Sequence, residues 1–105
     1  MKYSKKRLEK FKKQQEKYGF DERETYSLYQ TVAEFIHPRL KMFRKLHCDF
    51  PSKIGSIEKW DQYLDEMIWL FESISKDGNC IKDSDKDRAE KAWNLFCEYY
   101  RDLWW

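Results

Sequence analysis

Apolar positions recur along this chain at helical spacing and nowhere alternate as a strand would. The cleanest run is Ile57, Trp60, Leu64, Met67, Ile68, Phe71 and Ile74, one stripe of a long helix that Ser56 is placed to cap. Tyr63, Trp69 and Leu70 lie off that stripe, so the helix is apolar nearly all round at 67–71. Such a helix belongs at the centre of a fold or against a second chain. A second stripe is Leu28, Val32, Phe35, Ile36, Phe43 and Leu46, opened by Ser27-Leu28-Tyr29-Gln30, which fits a capping box. Pro38 falls inside it. Its ring removes one backbone hydrogen bond and crowds the carbonyl of Glu34, which predicts a kink or break near His37. A third stripe, Ala89, Ala92, Trp93, Phe96, Tyr99, Tyr100 and Leu103, follows Ser84 as a candidate cap. Residues 2–18 carry only a thin stripe of Tyr3, Leu8, Phe11 and Tyr18, and Gly19 suits the helix end. Asp21 is placed to cap a single helical turn. Residues 48–55 read as a loop and 75–79 as a turn.

These patterns predict an all-α fold, a small bundle of four main helices with the second kinked at Pro38. The chain reads as a single domain over 1–105, with 1–17 a peripheral basic helix and 18–105 the core. Nineteen residues are aromatic although 38% are charged, more ring surface than so polar a chain is expected to bury. That surplus suggests a binding module. No apolar run approaches the roughly 20 residues of a membrane span, so no membrane role is expected. Cysteines 48, 80 and 97 are odd in number, widely spaced and not preceded by a signal peptide, which points to free thiols in a reducing cytoplasm.

Charge divides the chain. Residues 1–17 hold eight Lys or Arg against two Glu, whereas the rest holds thirteen basic and seventeen acidic residues. A basic head of +6 thus precedes a body of −4 and can meet nucleic acid, anionic lipid or an acidic neighbour. Within the body, Arg39, Lys41, Arg44 and Lys45 form a basic patch. Arg23, Arg39, Lys41 and Arg44 could hold phosphates of a nucleotide while Tyr26, Tyr29 or Trp69 stacks its base. Asp61, Asp65, Glu66 and Glu72 form an acidic row on the third helix. It either faces a basic surface on a partner protein or pairs with the basic patch inside the chain, the expected outcome since the rows are of opposite sign and similar length. Metal binding is not expected: Glu34 and His37 have the Glu-x-x-His spacing of carboxylate-bridged bundles, but no second copy exists. No nucleophile or poised histidine accompanies the carboxylates, so an enzyme is not expected, nor a cofactor. Trp104 and Trp105 end the chain where polar residues are usual. Indoles there pack on the core or anchor a neighbour, and homo-oligomerisation is expected.

Three segments carry a resemblance: Tyr18-Gly19-Phe20-Asp21-Glu22-Arg23-Glu24-Thr25-Tyr26-Ser27-Leu28 running on to Lys41, Trp60 to Trp69, and Leu95 to Trp104. Over residues 18–105 they resemble a family of small proteins encoded by bacteriophages and prophages. Members tend to have an acidic residue where this chain has Gln30 and an aliphatic one at His37. The resemblance implies a phage accessory protein in the host cytoplasm. Its expected role is counter-defence, by binding a host defence protein or sequestering its nucleotide signal. The alternative expectation is a nucleic-acid-associated phage protein using residues 1–17.

Overall fold

The computed structural model describes residues 3–77 and 81–104. The first helix, α1 (Lys5–Tyr18), starts where the Ser4 hydroxyl accepts from the Arg7 amide and stops at Gly19. There φ is +84° and the glycine amide donates to the Gln15 carbonyl, a left-handed cap that a side chain would strain. Asp21 then caps a 3-10 turn, Glu22–Thr25.

The second helix, α2 (Leu28–Leu46), departs from expectation at its start. Ser27 makes no side-chain cap bond. Its ψ of 67° is far from the extended backbone that aims an N-cap hydroxyl at the first turn. Gln30 reaches across to the Ser75 carbonyl instead, at 3.2 Å. Pro38 does not break the helix, which is continuous through it. The Arg39 guanidinium folds back onto the Phe35 carbonyl at 2.8 Å, in the turn the proline weakens. Ala33 and Leu40, buried on either side of Pro38, hold both halves against one neighbour.

A loop follows, turning at Pro51–Ile54 and at Gly55, whose φ is +93°. Ser56 caps the Lys59 amide and opens α3 (Ile57–Asp77) as predicted. The helix includes Ser75 and Lys76, which were expected in a turn; Gly78 and Asn79 lie outside the described residues. Ser84 sits within a 3-10 turn, Asp83–Asp85, rather than capping α4 (Lys86–Tyr99). Another 3-10 turn, Tyr100–Asp102, ends the fold. Among the described residues there are four α-helices and no strand, an all-α fold, and no helix long and apolar enough to cross a membrane.

α3 is the centre. Its Trp60, Leu64, Met67, Leu70 and Phe71 are buried, and it packs against α2 on one flank and α4 on the other. Ala33 of α2 and Ala92 of α4 are buried at those seams, where small side chains allow close approach. Tyr99 sets its ring 5.8 Å from Trp60, edge-on, and 5.6 Å from Tyr63. Among the described residues α2 and α4 make no extensive contact with each other, and α1 makes no extensive contact with any of the three. The result is the small all-α bundle of four helices expected, with α2, α3 and α4 in one layer and α1 set beside it as an arm. The extents are 56 × 33 × 19 Å and the radius of gyration is 17.2 Å, against roughly 13 Å for a compact chain of about this length.

The two ends of the burial scale give a testable contrast. Leu64→Ala removes a side chain with no exposure and should lower unfolding free energy by about 2–5 kcal/mol in denaturant titration. Val32→Ala, in the stripe assigned to the core but half exposed, should cost under about 1 kcal/mol. Equal losses would contradict this placement of the core.

Candidate functional site

With α2 and α4 apart, the front of α3 is left open between them. Leu70, Phe71 and Ile74 of α3 form a floor, Leu28, Tyr29 and Val32 one wall, and Ala89, Glu90 and Trp93 the other. Ile81 lines this end as well, and the volume of the open depression is about 660 Å³. Farther along α2, Phe35, Ile36, Arg39, Leu40 and Phe43 line a second depression of about 420 Å³ with Tyr100 and Leu103. Residues 28, 32, 35, 39 and 43 repeat every three or four positions, so both depressions lie along one face of α2. Early residues of α2 meet early residues of α4, and late meet late, so the two walls run parallel.

The α4 wall is a ladder of rings. Trp93 stacks on Phe96 at 5.9 Å, Phe96 meets Tyr100 edge-on at 5.5 Å, and Phe71 abuts both Trp93 and Phe96 from below. Even so, Trp93 is 48% exposed, Phe35 60% and Tyr100 61%. A continuous apolar surface of this kind on a charged chain marks a docking site.

The back of the layer has the opposite character, and the predicted acidic row lies there. The Arg44 guanidinium meets Asp65 at 3.0 Å and Asp61 at 3.4 Å. His47 is buried between Asp61, at 2.5 Å from Nε2, and the Asp49 carbonyl, at 3.1 Å from Nδ1. Arg88 forks onto both oxygens of Glu66, at 2.9 and 2.7 Å, and covers the Trp69 ring at 4.0 Å. Glu72 takes Lys76 at 3.1 Å and lies 3.5 Å from His37. The Arg88 hydrogen bonds hold the Glu66 carboxyl below its ordinary range, and those from Lys76 do the same for Glu72. Arg44 is shifted upward in turn by its bond to Asp65. The acidic row is thus met within the chain, but of the basic patch Arg44 alone has an ion pair with it among the described residues; Glu66 and Glu72 are taken by Arg88 of α4 and Lys76 of α3. Exposed pairs of this kind add little stability; they fix which edge of α3 meets which neighbour.

A third polar cluster ties α1 to the body. The Asp21 carboxylate, 4% exposed, accepts from the Arg23 backbone and guanidinium and from Gln15 at 2.6–2.9 Å. Arg23 lies over the Phe11 ring at 4.5 Å. Glu22 accepts from the Tyr26 hydroxyl at 2.8 Å, from Gln14 at 3.1 Å and from Lys10 at 3.0 Å. Arg23 holds Asp21 far below the usual carboxylate range, and the Tyr26, Lys10 and Gln14 bonds lower Glu22 to about 2.

The seven residues expected to hold a nucleotide are thus dispersed. Arg23 and Tyr26 belong to the arm junction, Arg44 and Trp69 to the paired back. Tyr29 walls the first depression, while Arg39 lines the second, its guanidinium 3.8 Å from the Phe35 ring. Lys41 is exposed on α2. Trp104 is 74% exposed beside a cavity of about 200 Å³ lined by Asp49, Phe50, Trp60 and Asp102. Trp105 lies outside the described residues. Among the described residues no three His, Cys, Asp or Glu side chains gather as a metal site would need. Sequence reasoning missed the groove itself, because spacing puts Leu28, Val32 and Phe35 on one apolar stripe without saying whether the chain covers it. The signal was there: the apolar arc on α2, from Phe35 round to Ala33, is wider than one neighbouring helix covers.

Asp21 and Glu22 titrate lower in the folded chain than their ordinary 3.8 and 4.5. Their stabilising effect is therefore full above pH 4.5 and fades as pH falls toward 2 and below. The ring resonances of Phe11 and Tyr3 should lose their folded shifts in this range before those of Trp60. Simultaneous loss would contradict a separately locked arm. No protein-family model, curated protein or solved structure matches this chain.

Proposed function

We propose that this chain is a non-catalytic protein-binding module whose working surface is the apolar groove between α2 and α4. The observation that carries this reading is the groove's composition: rings and aliphatic side chains on the floor and both walls, with Glu90 and Arg39 the charged residues lining it. A helix with an apolar stripe is the natural guest, its anchors spaced to meet Trp93 and Phe35. The acidic row raised on sequence as one partner surface is a weaker candidate, since Asp61, Asp65, Glu66 and Glu72 already have cationic neighbours. The same pairing disfavours acid–base chemistry. Nucleotide sequestration loses support because Arg23 and Arg44 are engaged by carboxylates. Together with the resemblance to phage proteins, the reading is a counter-defence protein that occupies a host defence protein rather than its signal.

A second reading rests on the arm. Lys5, Lys6, Arg7, Lys10, Lys12, Lys13 and Lys17 are exposed on a helix that stands off the layer, as a contact to nucleic acid would require. Its mark would be binding that weakens steeply with salt and vanishes on removing residues 1–17.

The test compares protection of infecting phage in a host carrying the relevant defence with cross-linking of the captured host protein. Val32→Glu should abolish protection and capture while leaving the helical content of the chain unchanged by circular dichroism. Lys41→Ala should leave both intact. A nucleotide bound at 100 times its dissociation constant would add about 2.7 kcal/mol of stability. A shift of that size with any nucleotide, lost in Lys41→Ala, would overturn the protein-binding reading.

A further inference from the structure

We propose that a second copy of this chain covers the groove, face to face and antiparallel, giving a two-layer dimer. The inference rests on the reading of the groove as a docking surface and names its occupant. Helices bury an apolar face by packing in at least two layers. Here α2, α3 and α4 make one layer, polar and ion-paired behind, apolar in front. The chain's own α1 does not fill the gap, being held at the Asp21 junction, and its stripe is too thin to match the groove.

Charge selects a copy of the same chain, and its orientation. Glu90 lies in the depression at the N-terminal ends of α2 and α4, and Arg39 in the one at their C-terminal ends. Among the described residues neither has an oppositely charged partner; Arg39 rests on the Phe35 ring and carbonyl. A two-fold axis lying in the interface and crossing the groove brings each Glu90 to the same end as the second copy's Arg39. Turning the copy parallel would gather both glutamates at one end and both arginines at the other. The face is therefore self-complementary in the antiparallel sense only, as an isologous contact requires. Val32, Phe35 and Trp93 fall near its middle, where anchors concentrate. A foreign helix would then enter by displacing the second copy.

The test is sedimentation equilibrium of the full chain from nanomolar to high-micromolar concentration. The wild type should reach a dimer. Glu90→Arg and Arg39→Glu should each weaken association about tenfold, from like charges gathered at one end, and the double reversal should restore most of it. Val32→Glu should give a monomer that remains helical by circular dichroism. A wild type monomeric throughout would overturn the second copy as occupant, while loss of host-protein capture in Val32→Glu would still uphold the groove. A dimer indifferent to Val32→Glu, or a double reversal no tighter than the singles, would place association elsewhere and overturn the proposal.

Discussion

Everything in this molecule hangs on the burial of one helix. α3 supplies Trp60, Leu64, Met67, Leu70 and Phe71 to the core, each side chain worth about 1.5–3 kcal/mol when removed from water. Among the described residues α2 and α4 make no extensive contact with each other and are joined through it. Its polar edges decide the rest. Asp61 and Asp65 draw Arg44 and His47 of the α2 flank to one back edge, and Glu66 draws Arg88 of α4 to the other. With both back edges fixed by ion pairs, the flanking helices turn a common apolar side forward. The groove is the geometric consequence of a central helix that is charged behind and apolar in front.

The arm obeys a different physics. Its one buried ring, Phe11, is roofed by Arg23, which is held by the buried Asp21. A polar lock of this kind positions a helix without joining it to a core, so the arm and the layer can respond separately to pH and to partners. The cationic face of α1 then remains available whatever occupies the groove.

Much of this was legible in the sequence. The period of α3 named most of its buried stripe but missed Leu70. Ser56 and Gly19 marked ends that the structure confirms. Of the expected pairing between α2 and α3, the part made by Arg44 with Asp61 and Asp65 is present. What could not be read was tertiary. Ser27-x-x-Gln30 has the letters of a capping box, but the backbone entering α2 carries the wrong ψ and Gln30 has a better acceptor in Ser75. Pro38 forecast a kink or break, and the helix runs on through it with Ala33 and Leu40 buried on either side. Leu28, Val32 and Phe35 have the hydrophobicity and spacing of core residues. Periodicity reports which face is apolar and is silent on whether the same chain covers it. The candidate site lay in that gap.

The central claim is that this chain exposes an apolar face that its own helices do not cover. Carbene footprinting with residue-level mass spectrometry, on dilute and concentrated protein, addresses it directly. In dilute solution Val32, Phe35 and Trp93 should label heavily while Leu64 and Met67 stay protected, and concentration should suppress labelling of the first three alone. Uniformly low labelling of Val32, Phe35 and Trp93 at every concentration would mean that the chain covers its own groove, and would contradict the account.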